Sequence, residues 1–167
     1  GKGGAGGVGA RGAGRPNTGR EGGRGVGSLG RAAAGILADT GDVIGALSLD
    51  ARRGTDVALD ERIHQARPHP GQLRTAANLR KMLEGSSLRD SHRDCDRVQD
   101  AYSLRCMPQV HGAGRDTLAH CREVMEIEVN SAVDNPLVFF KNSRARDTEV
   151  ISCVNFHGEP LAFDLDF

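Results

Sequence analysis

Apolar and polar positions follow several distinct rhythms along this chain, and each rhythm predicts an element. From Gln72 to Glu84, Leu73, Ala76, Leu79 and Leu83 recur at three- and four-residue steps, with Met82 widening the stripe. That is the period of an amphipathic helix, and Gly85 stands where a helix C-cap takes a glycine. A second long helix is predicted from Gly112 to about Asn130, with Leu118, Cys121, Met125 and Glu128 on one line and Val124 and Ile127 beside it. Just before it, Pro108 is expected to kink or restart the chain. Residues 131–136 end in an Asn-Pro turn signal. Residues 137–140 and 149–152 are β-prone, and the polar stretch between them predicts a hairpin with a long loop. Glu159 opens a last helix with Pro160 in its first turn. Its apolar face begins and has no room to finish, as expected of a piece of something larger.

The first half is less regular. Ala32, Ala33, Ala34, Ile36 and Leu37 favour helix, and Gly41 and Gly45 are expected to interrupt it. Ser48 and Asp50 lie near the start of a short helical stretch. Residues 60–64 predict another turn of helix, with acids at its start where the dipole favours them. Pro68 and Pro70 are expected to stop regular structure before Gly71, and residues 86–91 read as a polar loop. Residues 1–30 hold more than half of the 23 glycines, with Lys2, Arg11, Arg15, Arg20 and Arg24 against the single acid Glu21. Ordering so much glycine costs more backbone entropy than its few apolar atoms return. Residues 1–40 are therefore expected to be a disordered, low-complexity Gly/Arg-rich region, and residues 41–167 the folded part.

Charge and cysteine usage narrow the function classes. The 22 basic and 22 acidic residues cancel, so no global field argues for nucleic acid or a membrane surface. No apolar run is expected to reach bilayer-spanning length, and no secretory signal is visible. Cys95, Cys106, Cys121 and Cys153 lack any CxxC pair and read as reduced thiols, which makes the cytoplasm the expected compartment. Residues 4–9 fit GxGxxG, but no strand precedes them and no helix follows, so a dinucleotide site is not expected. The Arg/Gly mixture leaves an RNA-binding tail as an alternative. His92 and Cys95 are spaced like a metal pair without a second pair, so no metal is expected. His111, His120 and Glu123 read most simply as helix surface. Arg115, Arg122, Glu126 and Glu128 read as solvated or inter-helix charge.

The densest chemistry lies in residues 98–109, VQDAYSLRCMPQ, which hold the only tyrosine, Tyr102. Gln99, Tyr102 and Arg105 are three apart, so a helix would line an amide, a phenol and a guanidinium along one face. The phenol can exchange a proton, the guanidinium can hold a carboxylate through two parallel bonds, and the amide can donate and accept. By spacing alone, a solvated helix face explains them more simply. The wording of the stretch adds to this. Residues 97–112 (RVQDAYSLRCMPQVHG) resemble the aromatic amino acid ammonia-lyases, the histidine branch most closely. SAVDNP at 131–136, NFHGEP at 155–160, GALSL at 45–49 and RPHPGQ at 67–72 agree in order. The resemblance runs from about Asp42 to Phe167. It implies a mainly α fragment of a long-helix bundle with one short β-hairpin.

The resemblance also implies a reaction: elimination of ammonia, which for histidine gives trans-urocanate. The family uses an electrophilic methylidene-imidazolone ring made from its own Ala-Ser-Gly, with no metal. By the same resemblance, Arg105 would clamp the substrate carboxylate, and Tyr102 would be the catalytic phenol, as base or as proton donor. Gln99 and Asn135 would hydrogen-bond substrate or ring, and Phe156 would pack beside them. Read without the resemblance, Tyr102 is a core phenol, Arg105 an ion-pair partner, Asn135 a turn residue and Phe156 core. No Ala-Ser-Gly occurs in the sequence, so this stretch alone is expected to be inactive. Histidine is the expected substrate, with a phenylalanine or tyrosine ammonia-lyase relative as the alternative, and the family assembly is a homotetramer.

Overall fold

The structure, a computed structural model, describes residues 10–12, 18–94, 98–140 and 148–165. Residues 1–9 and 13–17 of the expected disordered region lie outside the described residues, as do Cys95 and residues 141–147 of the expected hairpin loop. The chain divides into two compact units, one of residues 29–122, the other of residues 1–28 with 123–167.

The largest departure from expectation is α1, one continuous helix over Thr18–Ala51. Helix begins at Thr18, inside the Gly/Arg-rich region expected to be disordered up to residue 40. Nor do Gly41 and Gly45 interrupt the helix. Gly45 is needed for packing: a Cβ there would lie 2.7 Å from Met107 Sδ and 3.7 Å from Leu79 Cδ2. Ser48 and Asp50 sit in the closing turns of this helix and start no new one.

After a 3-10 turn at Val57–Leu59 come α2 (Glu61–Gln65), α3 (Pro70–Leu83) and α4 (Ser87–Asp90). Asp60 caps α2 by accepting from Arg62 N, and the Arg62 side chain and backbone pull its carboxyl down to about 2. Pro70 opens α3 at its first turn, the place where a missing N–H costs nothing. At the far end Gly85 takes a φ of 73°, the left-handed conformation that glycine adopts without strain. Residues 86–91, expected as loop, include α4, whose Ser86 caps by accepting from Arg89 N. Then follow α5 (Tyr102–Arg105) and α6 (Met107–Val129). Pro108 does not break α6. It falls in the first turn, where proline fits, so the helix begins five residues before the predicted start.

Within residues 29–122 the core is Ala46, Leu49, Leu59, Leu79, Leu83 and Met107, with Leu104 packed against it. The N-terminus of α3 meets α6 at two glycines. A Cβ on Gly71 would run into the Gly112 carbonyl, and a Cβ on Gly112 into the Gln72 backbone. Asp116 of α6 accepts from Gly71 N at 2.7 Å, which ties the helix start to its neighbour.

Buried polar groups tie α1, α3 and α6 together. Asp42, fully buried, accepts from Asn78 Nδ2 at 2.8 Å, from Arg115 at 2.6 Å and from His111 Nδ1 at 2.9 Å. Arg115 also reaches Asp39, Thr75 and the Ala38 carbonyl. Arg115 is thus an inter-helix charge with an 8% exposed side chain, and His111, expected at the surface, is half-buried against Asp42. Burial alone would push the Asp42 carboxyl up; the hydrogen bonds from Asn78, His111 and Arg115, with the charge of Arg115, outweigh it, and its pKa falls below 3.8.

By length and mean hydropathy, Gly25–Ala51 does reach what a membrane span requires, contrary to expectation. It also carries Asp42 into a buried ion pair, and Asp39 beside it. A bilayer offers such carboxylates no partner, whereas α3 and α6 do.

In the other unit, β1 (Ala10–Gly12), β2 (Leu137–Phe140) and β3 (Thr148–Ile151) form an antiparallel sheet in that order. The predicted hairpin is present, with Leu137 opposite Ile151 and Phe140 opposite Thr148. The added strand β1 pairs Ala10 with Phe139 and was not foreseen. Met125 is buried against Gly27, where a Cβ would come within 3.0 Å of its Cε. The chain ends its described part in α7 (Glu159–Leu165).

Removing one partner of a buried ion pair leaves an uncompensated charge. Arg115→Leu is expected to cost about 3–5 kcal/mol in urea unfolding, and Gly112→Ala to destabilise through the α3 contact. The Asp42 carboxyl binds protons less readily folded than unfolded. Its contribution is therefore complete above pH 4 and is lost as pH falls below that; a urea series from pH 5 to pH 2 checks the sign, and Asp42→Asn should flatten it.

Candidate active site

The end of α1 builds one side of a cavity. Leu49 and Asp50 carbonyls accept from Gly54 N and Arg53 N, closing the helix. Arg53 adopts a φ of 55°, the left-handed region where a non-glycine residue is strained. Gly54 is buried, and a Cβ there would collide with Leu49 and approach Asp100 Oδ2 within 3.2 Å. Thr55 N then donates to Asp100 Oδ2 at 2.6 Å. The cavity beside this turn has a volume of about 500 Å³, and Arg53, Thr55, Val57, Gln99, Asp100 and Arg105 are among its lining residues.

The floor of this loop rests on His64, which is fully buried. Its Nε2–H donates to the Ala58 carbonyl at 3.1 Å, and its Nδ1 accepts from Gln72 Nε2 at 3.0 Å. One nitrogen donates and the other accepts, which fixes a neutral tautomer. Burial lowers its pKa below 6.5, against the smaller opposing effect of the Ala58 carbonyl.

The Gln99, Tyr102, Arg105 stripe forms only in part. Gln99 precedes the helix in irregular chain, and α5 is four residues long, so the amide does not share a helical face with the phenol. Tyr102 and Arg105 do come together: the guanidinium carbon lies 5.6 Å from the ring centroid, a cation–π geometry. Arg105 Nε donates to the Asp100 carbonyl at 2.9 Å. Tyr102 is 74% exposed, not a core phenol, and it is not among the cavity's lining residues.

Asn135 and Phe156 belong to the other unit. Asn135 Oδ1 accepts from Cys153 N at 2.8 Å and from Ser152 Oγ at 3.1 Å. It holds the strand exit to the turn before β2, and the Asn135–Pro136 peptide is cis. Nearby, Asn155 Nδ2 donates to the Ala132 carbonyl at 2.8 Å. Phe156 is half-buried in the following turn.

Two participants escaped sequence reasoning. Asp100 has no local feature that sets it apart inside the tyrosine stretch, and no helical or strand period marks residues 53–55. The usable signal was the Arg-Gly-Thr run directly after a helix. Among the described residues no three His, Cys, Asp or Glu side chains converge as a metal set, and Cys106, Cys121 and Cys153 are not in disulfides.

Comparison with known proteins gives a consistent result. The family model described as "Aromatic amino acid lyase" matches residues 17–167. The match reaches further toward the N-terminus than the shared words near Asp42, and starts one residue before α1. A curated histidine ammonia-lyase of Koribacter versatilis is 60% identical over 149 residues, covering 85% of this chain and 29% of that protein. A crystal structure of histidine ammonia-lyase from Trypanosoma cruzi matches with a TM-score of 0.71 at 37% identity, over 86% of this chain and 25% of that one. Phenylalanine aminomutase of Pantoea agglomerans matches with a TM-score of 0.74 at 29% identity, over 86% and 30%. The chain thus spans less than a third of the length of each of these three proteins.

The His64 geometry is directly testable. Nitrogen-resolved NMR above pH 7 should find the neutral Nε2–H form that the two hydrogen bonds require, and the titration midpoint should lie below 6.5. Protonation must break the bond from Gln72, so stability should fall as pH drops below the ordinary imidazole range; a midpoint at or above 6.5, or the Nδ1–H tautomer, would refute the assignment.

Proposed function

Because the chain belongs to the aromatic amino acid lyase family, we propose that it is part of a histidine ammonia-lyase, which converts L-histidine to trans-urocanate and ammonia. The observation that carries this reading is a guanidinium oriented at both ends: Arg105 is bonded through Nε to the Asp100 carbonyl and lies over the Tyr102 ring, beside a cavity large enough for an amino acid. Histidine is favoured by the 60% identity to a protein of that name, against 29% to an enzyme named for phenylalanine.

In this reading Arg105 holds the substrate carboxylate, a task for a planar fork with fixed charge. Tyr102, exposed and next to that cation, is the catalytic phenol that exchanges a proton near the reacting carbon. Gln99 offers its amide from the cavity wall. Asn135 has Oδ1 engaged with Ser152 and Cys153, which leaves Nδ2 as the donor to a substrate. Phe156 packs beside the substrate ring. In the family an electrophilic methylidene-imidazolone ring activates the amine as a leaving group. Its Ala-Ser-Gly source does not occur in these 167 residues, so no residue here supplies that electrophile and no step is assigned to it.

The same reading makes the chain part of a cytoplasmic homotetramer. Leu29, Ile36, Leu37, Val43, Ile44 and Leu47 are exposed on α1, on the side opposite Asp42, Ala46 and Leu49. The seven-residue steps from Leu29 to Ile36 to Val43 and from Leu37 to Ile44, with Leu47 one turn beyond, are those of a helix-packing seam.

The decisive experiment grafts the matching segment of this chain into a full-length relative. The chimaera should release urocanate from histidine, and turnover of phenylalanine instead would move the assignment to the alternative branch. Tyr102→Phe or Arg105→Lys in it should each lower the rate roughly 10²–10³-fold, the scale of losing one preorganised polar group; an unaltered rate removes that residue from the site. Ile36→Glu should shift the chimaera from tetramer to smaller species in sedimentation analysis.

A further inference from the structure

We propose that Asp100 is a positioning residue that aims the Arg105 clamp; the inference rests on the reading of Arg105 as the carboxylate holder. Asp100 is buried, 6% exposed, between the exposed neighbours Gln99 and Ala101. A buried carboxylate needs strong donors to offset its desolvation. One of them is Thr55 N, 2.6 Å from Oδ2. That bond joins two segments 45 residues apart in sequence, both of which line the cavity.

The anchor also fixes the Asp100 carbonyl, and that carbonyl accepts from Arg105 Nε at 2.9 Å. A guanidinium can grip a carboxylate through its Nε–NH2 edge or through its NH1–NH2 edge. With Nε engaged by Asp100, only the NH1–NH2 edge remains for a ligand. The guanidinium carbon lies 5.6 Å from the centroid of the Tyr102 ring, which borders the fork on one side. Side chain, carbonyl and ring together leave one orientation for the bound carboxylate. Gly54 belongs to the same device, since a Cβ there would crowd Asp100 Oδ2 at 3.2 Å.

The test uses the full-length chimaera, with KM and kcat for L-histidine and inhibition by histamine. Histamine keeps the imidazole and the amine and lacks the carboxylate. Asp100→Ala is expected to raise KM for histidine about 10–10²-fold, the scale of a small misplacement of a binding group. Histamine inhibition should hold within about twofold, because uniform binding elsewhere is untouched. Asp100→Asn should recover most of the loss, since its amide oxygen can still accept from Thr55 N. Equal weakening of histidine and histamine, or no change in either, overturns the proposal. Should Asp100→Ala fail to fold, Asp100→Glu keeps the charge and lengthens the arm by one methylene. A selective rise in KM for histidine then supports the proposal and an unchanged KM overturns it. Arg105→Ala separates the premise. If it too leaves KM for histidine unchanged, the clamp reading itself fails; if it raises KM while Asp100→Ala does not, only the positioning role falls.

Discussion

The buried contact between Asp42 and Arg115 is the constraint to which the rest of residues 29–122 conforms. A carboxylate and a guanidinium withdrawn from water repel the fold unless each remaining donor and acceptor finds a partner. Here Asp42 has three donors and Arg115 four acceptors. They come from α1, α3 and α6, so the three helices must meet at one level along α1. That level is reachable only if backbones approach closely, and glycines stand at the approaches. Gly45 lets α1 settle on Met107 and Leu79, and the Gly71–Gly112 contact lets α3 settle on α6. The apolar core of Ala46, Leu49, Leu79 and Met107 lies on the side of α1 that Asp42 occupies. Polar pairing thus sets register, while apolar burial supplies the drive.

With α1 fixed, so is its end. Leu49 is locked in the core, its carbonyl caps Gly54, and Thr55 leaves the helix one residue later with its N–H aimed at Asp100. A second support comes from His64, which props the Ala58 carbonyl from below while Gln72 of α3 holds its other nitrogen. The strained φ of Arg53 persists because both flanks are held. The candidate clamp is therefore not a property of α5 alone. A four-residue helix cannot orient an arginine by itself; Asp100 and the turn after α1 do it from outside.

How much of this was legible in the sequence depends on the range of the interaction. The helix α3, the hairpin and α7 follow from local periodicity and turn chemistry, and all three stand close to their predicted places. Gly41 and Gly45 misled, because a propensity argument counts the entropic cost of glycine and cannot see the neighbour that needs the space. Pro70 misled in a related way, because it opens α3 where a breaker is expected to stop regular structure; Pro108 does mark a restart, since α5 ends at Arg105 and α6 begins at Met107. The three-residue spacing put Tyr102 and Arg105 side by side, as found, yet it also placed Gln99 on a helix that begins three residues later. Asp42, His111 and Arg115 were beyond reach. Their pairings span 69 and 73 residues, and nothing in a single sequence marks them as partners.

The two apolar faces of α1 carry the argument one step further. A helix as long and as apolar as Gly25–Ala51 invites a membrane reading. That reading predicts an apolar circumference with any acid at an end. Instead, α1 separates its surface into two stripes. One holds Ala46, Leu49 and the paired Asp42, covered by α3 and α6; the other holds Leu29, Ile36, Val43 and Leu47, uncovered among the described residues. A helix with packing on one face and a seam-like stripe on the other belongs between layers of helices in a larger bundle. On that second face Ile36, Leu37, Val43, Ile44 and Leu47 stay exposed along the same helix that buries Asp42, Ala46 and Leu49, so one helix carries a finished packing face and an unfinished one.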